Sequence, residues 1–343
     1  MRRLLLLTLV AGISVSTLRT QQNALAVRGY FFGDYFYKPG GDSTALPGQY
    51  TQYRRDAHAF QFRRLYFWAD AQPSTRCSVR FLLEATDASL DERRRYSFFV
   101  KEASITWDSL GFPFVQVQGG LIPTPTWRLA EQYWERSLER TVTDFWNWGN
   151  AVDFGIALRG QFPSEHPIVR STLMVGSGEG PRLEIDRLKK LYAQIALQLW
   201  KTTWLELYSD WDITTTAQGT STFKAFLGHQ QQWFRGGMEV VLRRFHVSGQ
   251  LVLPVGISFF GSFRLLEKPA LQTIARYDWI NDNRRTSDQG FIHHFALVGL
   301  EYAPLPQLRL TPNLWLLGHT AKGNTPHLKT DVVARLTFFV MYP

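Results

Sequence analysis

Polar and apolar residues alternate with period two along most of this chain. In "VQVQGG" (115–120), Val115 and Val117 fall on one face of an extended strand, Gln116 and Gln118 on the other. "SVRFLLEA" separates Val79, Phe81 and Leu83 from Arg80 and Glu84. "TWLELYSD" sets Leu205 and Leu207 against Glu206. "GMEVVLRR" sets Met238, Val240 and Leu242 against Glu239, Val241 and Arg243. "QLRLTPNLW" and "DVVARLTFF" repeat the pattern, with Arg309, Thr311, Asn313, Arg335 and Thr337 opposite the apolar positions. Such alternation predicts strands with one apolar face.

The connections have a rhythm of their own. Seven are tight, at 71–75, 109–111, 161–167, 201–202, 229–232, 267–269 and 304–306. Eight are longer and more polar, at 39–54, 88–96, 122–149, 178–187, 213–220, 244–254, 282–288 and 319–327. Short and long connections take turns, starting from a first strand at Gly29 to Lys38. This predicts an all-β fold, a transmembrane antiparallel barrel of about 16 strands. Short periplasmic turns would lie at one rim and longer extracellular loops at the other. A soluble β-sandwich also alternates, but it leaves unexplained both this rhythm and the aromatics near strand ends. Those aromatics are Trp68, Trp107, Trp200, Trp204, Tyr208, Trp233, Tyr277, Trp279, Tyr302 and Tyr342. In such a barrel the valines of 115–117 face lipid and the glutamines face water in a lumen too wide for side chains to fill.

Composition narrows the setting. "MRRLLLLTLVAGISVSTLRTQQNALAV" has a charged start, a short apolar run and an A-x-A site. It is expected to be a signal peptide over 1–26, leaving 27–343 as the barrel. The expected location is therefore the outer membrane. Losing residues 1–26 removes Arg2, Arg3 and Arg19 and no acid from a chain of net charge +9, so the remainder is mildly basic. No concentrated basic patch suggests a nucleic-acid partner. Cys77 is the only cysteine, which excludes an internal disulfide. The 12 Trp, 13 Tyr and 25 Phe are abundant, while the mean hydropathy stays negative because polar residues are closely interleaved.

One stretch is more specific. "GGLIPTPTWRLAEQYWERSLERTVTDFWNWGNAVDFGIALRG" (119–160) resembles the outer-membrane porin family named for the phosphate-selective porins O and P. The matching residues are Gly120, Pro123, Thr124, Pro125, Glu131, Trp134, Arg136, Asp144, Asp153 and Gly155. "QFRRLYF" (61–67), "ARYDWINDN" (275–283) and "GLEYAPLPQLRLTPNLW" (299–315) agree in order. The resemblance implies a homotrimeric, 16-stranded passive diffusion pore for small hydrophilic solutes, with an inward-folded third loop and no cofactor. Segment 122–149 is the third long connection and the longest. It contains no lysine, unlike the lysine-bearing phosphate-selective members.

In a pore the chemistry is electrostatic, and the narrowest ring sets selectivity. Position opposite the apolar residues turns Arg63, Arg80, Arg159, Arg243, Arg264, Arg276, Arg309 and Arg335 inward, against Glu84, Glu102, Glu206, Asp210 and Glu239. An arginine facing lipid at midplane would cost roughly 2–4 kcal/mol. The excess of positive charge predicts a mild anion preference, reduced wherever neighbouring strands pair their charges. In 122–149, the spacing of Glu131, Glu135, Glu139, Arg136 and Arg140 suits a short helix. Arg128, Glu131, Glu135, Arg136 and Arg140 are expected at the constriction. The alternative is a buttress salt-bridged to the wall. Trp127, Trp134, Trp146 and Trp148 suit packing, or less readily a sugar site.

Signals for catalysis and metals are poor. "GSGEG" (176–180) lacks both the nucleophile-elbow and the phosphate-loop patterns and fits a strand-to-loop transition. His293 and His294 are adjacent, so a strand turns them to opposite faces. "DWDITTTAQG" and "DWINDNRRTSDQG" lack calcium-loop spacing. No metal site, cofactor or reaction is expected. The alternatives are a non-conducting barrel serving as an adhesin or structural component, or a barrel-embedded hydrolase.

Overall fold

The computed structural model describes residues 25–109, 111–185, 187–213 and 219–342. The expected signal peptide lies outside the described residues except for its last two positions. The strands are β1 (Ala26–Gly40), β2 (Ala57–Ser74), β3 (Cys77–Thr86), β4 (Phe99–Asp108), β5 (Val115–Pro123), β6 (Val152–Phe162), β7 (Val169–Gly176), β8 (Lys189–Trp200) and β9 (Thr203–Ile213). They continue with β10 (Ser221–Gln230), β11 (Phe234–Val247), β12 (Gln250–Val252), β13 (Val255–Leu266), β14 (Ala270–Asn281), β15 (Phe291–Leu305), β16 (Leu308–Ala321) and β17 (Asp331–Tyr342). Each pairs antiparallel with its neighbour, and β1 pairs with β17, so the sheet closes. Both β12 and β13 lie against β11 and are split by Pro254, which has no N–H for the ladder. They form one interrupted stave, giving a 16-strand barrel.

The rhythm of turns and loops is present as expected, with one correction. The segment expected as a loop at 244–254 is a hairpin, because β11 runs on to Val247 and β12 returns beside it. Ser248 (φ 49°) and Gly249 (φ 78°) supply the two positive-φ positions that a tight two-residue hairpin needs.

The two faces separate cleanly. Leu173, Val175, Leu207, Phe223 and Leu336 point outward and are exposed, whereas Glu206, Glu239, Thr311 and Arg335 point inward and are buried. Trp107, Trp200, Trp233 and Tyr302 ring the turn end outside, with Tyr35, Tyr37, Phe60 and Trp211 toward the loop end. Trp204 and Tyr208 were expected in this girdle but face inward and are buried. Trp68 also faces inward, 5.8 Å from the Tyr30 ring. Proximity to a strand end does not decide the face; parity does.

Two bulges break strict parity. The register between β1 and β2 shifts at Phe32/Gly33, so Arg63 and Arg64 both point inward. The register between β3 and β4 shifts at Leu82/Leu83, so Lys101 and Glu102 both point inward.

Candidate functional site: the lumen around the third loop

Segment 124–151, here L3, lies inside the barrel. The helix expected from its charge spacing does not form. L3 holds only a three-residue 3-10 turn at Ala130–Gln132 and a four-residue helix at Val142–Phe145. Its charged residues each meet a different partner, which an extended path allows and a helix would not. Its apolar residues decide its position. Tyr133, Trp134, Leu138 and Phe145 join a buried cluster with wall residues Phe36, Phe226, Phe260, Phe295 and Trp315. Tyr50, from the segment 41–56 here called L1, joins them and is fully buried. A hydrophobic core thus occupies part of the lumen, and open cavities remain beside it.

Inward arginines fix the loop in place. Arg63 donates to the Ser137 carbonyl at 2.7 Å and Arg335 to the Leu138 carbonyl at 2.8 Å. Arg276 donates to the Arg140 carbonyl, and Arg243 to that of Asn147. Arg309 and Arg235 both bind Glu135, the former at 2.6 Å. Glu139 accepts from the Trp315 indole at 2.8 Å. Burial alone would raise the Glu139 carboxyl, but Arg63, Arg140 and Arg335 hold it below the usual carboxylate range. Glu135 is likewise held low by Arg309 and Arg235 against its burial, and Asp144 by Arg136 and Arg140.

The inner-face residues divide into two groups. Arg63, Arg243, Arg276, Arg309 and Arg335 hold L3. Arg80, Arg159 and Arg264 line open cavities. Among the five loop residues expected at the constriction, Arg136 is paired with Glu131 and Asp144 inside L3. Glu135 bridges to the wall, and Arg140 stacks over the Phe145 ring at 5.5 Å. Arg128 alone of the five projects into two cavities at once.

These two cavities lie between L3 and strands β1–β9. One, of about 240 Å³, is lined by Trp68, Arg80, Glu102, Trp127 and Arg128. The other, of about 300 Å³, is lined by Gln116, Gln118, Arg128, Arg159, Arg170 and Glu206. Gln118 accepts from Arg159 at 2.9 Å, so the glutamine face of 115–118 is the lumen face. Arg170 stacks on Trp204 at 4.4 Å. Arg128 is exposed between the two cavities, and Glu102 is the carboxylate that acts on it most. A third cavity of about 320 Å³, with Arg264, opens near the turns at 231–233 and 267–269.

Sequence reasoning missed four inward lysines. Lys38 meets Asp331 at 2.6 Å, Lys101 meets Glu84 at 2.7 Å, Lys190 meets Asp210 at 3.0 Å and Lys224 meets Glu206 at 2.7 Å. Lys224 was hidden because Phe226, on the same inner face, spoils the alternation. Lys101 was hidden by its bulge.

Ser177, in "GSGEG", donates to Asp153 at 2.7 Å, and that carboxylate also accepts from Gly178 N and Tyr192 OH. The segment is a buttressed strand-to-loop transition. In "DWINDNRRTSDQG" the oxygens of Asn281, Asp282 and Asn283 do converge on a cation, but it is the Lys322 ammonium at 2.6–2.9 Å. The "DWDITTTAQG" stretch lies partly outside the described residues. His293 points inward and His294 outward, where Tyr277 OH meets it at 2.8 Å.

No protein-family model and no curated protein matches the sequence. Solved structures match in fold. The outer-membrane channel DcaP of Acinetobacter baumannii is 10% identical, with TM-score 0.67 over 94% of this chain and 99% of that one. An anion-selective porin from Comamonas acidovorans is 11% identical, with TM-score 0.63 over 93% and 100%. OmpT of Vibrio cholerae, in its trimer form, is 8% identical, with TM-score 0.61 over 93% and 100%. At these identities the likeness concerns the fold. The chain is a β-barrel with the transmembrane fold of the outer-membrane porins.

Proposed function

We propose that this protein is a passive diffusion channel for small hydrophilic solutes with a mild anion preference. Its water path runs beside β2–β8, past Arg128 and Arg159. The carrying observation is a local excess of uncompensated positive charge. Among the described residues, Arg159 bonds only neutral oxygens, at Gln118, Thr172 and Pro123, and Arg170 meets only the Trp204 face. Arg128 has no ion-paired carboxylate among the described residues. Glu206, on the same wall, is neutralised by Lys224. Fixed cations in a narrow, poorly hydrated passage favour anions. The resemblance to the phosphate-selective porins O and P belongs to this reading, as do homotrimeric assembly and export by a signal peptide at 1–26.

The experiment is conductance in a planar bilayer across a KCl gradient. Stable steps with a chloride-directed reversal potential are expected, and Arg128→Glu with Arg159→Glu should reverse its sign. A potassium-directed reversal in the unaltered protein would remove the anion assignment. A correctly folded barrel that never conducts would turn the reading to a sealed barrel, whether adhesin, structural component or hydrolase.

A further inference from the structure

The 240 Å³ cavity holds six charged side chains, Arg80, Lys101, Glu102, Arg128, Glu131 and Arg136. Four are neutralised by the protein. Arg80 forks onto Asp70 at 2.7 and 3.0 Å, and Lys101 reaches Glu84 at 2.7 Å. Arg136 pairs with Glu131, and with Asp144 at 2.7 Å. Two remain. Among the described residues, neither Arg128 nor Glu102 has a hydrogen bond or ion pair through its side chain, although Glu102 is the carboxylate that Arg128 feels most. Glu102 Oε2 is sealed from solvent and bonded to nothing.

This combination selects among solutes. A site for a simple anion has no use for an unpaired carboxylate, and one for a cation has none for an unpaired guanidinium. Two unlike charges held in one cavity without closing on each other leave a donor face and an acceptor face that one dipolar solute satisfies together. The remaining wall mixes aromatic side chains with aliphatic ones such as Leu82 and Val152. The Tyr30 ring lies 4.9 Å from Tyr66 and 5.8 Å from Trp68, and Trp127 also lines the cavity.

We propose that this cavity is a recognition subsite for small zwitterions, namely α-amino acids with apolar or aromatic side chains. Arg128 takes the carboxylate, Glu102 takes the ammonium, and Tyr66 and Trp68 meet the side chain. The assignment rests on the channel reading for its physiological meaning, though not for its binding chemistry.

Binding is measured by titration calorimetry on the full-length protein, folded in detergent, with phenylalanine, phenylacetate and phenethylamine as probes. Phenylalanine should bind best. Arg128→Gln and Glu102→Gln keep side-chain length, and each should weaken phenylalanine by about tenfold or more, the loss of one charge-assisted contact. Glu102→Gln should leave phenylacetate unchanged or improved. No phenylalanine binding by the unaltered protein, or equal binding of phenylalanine and phenylacetate, overturns the proposal. So does a Glu102→Gln variant that binds phenylalanine as well as before. KCl conductance of the same preparation tests the channel reading separately, so the two failures are distinguishable.

Discussion

The lumen has two sides built on the same outer face. Beside β9–β17 and β1, the inner face carries Phe226, Phe260, Phe295, Trp315 and Phe36 among buried charges such as Glu239, Arg276 and Arg335. Beside β2–β8 it carries Gln116, Gln118, Arg159 and Arg170 around open cavities. L3 has one set of apolar side chains and goes where they find partners. The hydrophobic effect therefore chooses the side on which the loop lies, and the arginines fix its register there. The open cavities are what the loop leaves over.

Breaking the apolar side should have the largest effect. Trp134 is 3% exposed, lies 5.4 Å from the Phe260 ring and donates to the Glu139 carbonyl at 2.7 Å. Trp134→Ala should lose about 3–5 kcal/mol of local stability. A lower urea midpoint and a larger, noisier single-channel conductance would show it. Unchanged conductance with a lower midpoint would mean that L3 does not limit flow.

Glu135→Gln tests the ionic fastening alone. Glu135 binds Arg235 and Arg309, which keep 28% and 23% exposure, so screening limits the loss to about 1–2 kcal/mol. Two released guanidinium groups should also move the reversal potential further toward chloride. A shift toward potassium would contradict this.

Acid should act in the same direction and more gradually. Glu135, Glu139 and Asp144 have folded values held below their ordinary ones. Their contribution is fully present above the unfolded carboxylate range and is lost as pH falls through the depressed folded values. Conductance noise should stay flat from neutrality down to about pH 5 and rise below about pH 4. A transition near pH 6 would mean that groups other than these three carboxylates control the loop.

The smallest effect on stability belongs to the wet side. Arg128→Ala removes no hydrogen bond, so unfolding should change by less than about 0.5 kcal/mol while the reversal potential moves measurably. A large stability loss would show that Arg128 is a structural tie.

Much of the fold was legible. Leu336 against Arg335, and Val117 against Gln118, alternate because lipid and lumen differ in polarity. The turn at 201–202 is short because adjacent antiparallel strands need little chain between them. Alternation fails where both faces want the same chemistry, as at Phe226, and where a bulge adds a residue, as at Arg64 and Lys101. The site was less legible than the fold. Regular spacing of Glu131, Glu135 and Glu139 looks helical, but their partners are Arg136 within the loop, the Arg235–Arg309 pair on β11 and β16, and Trp315 on β16. Which inward arginine holds the loop and which meets water depends on pairing across the lumen, over sequence separations that local pattern does not span.

The bulges at Arg63–Arg64 and Lys101–Glu102 bear on how such a wall can change over generations. An extra residue at a bulge points inward and leaves the phase of everything beyond it intact: Tyr66 and Trp68 still face the lumen, and Phe67 still faces lipid. Insertion of one codon can thus add a charge to the channel without disturbing a single lipid-facing side chain. The interior can be revised by lengthening, while the exterior, which must satisfy the membrane, stays as inherited.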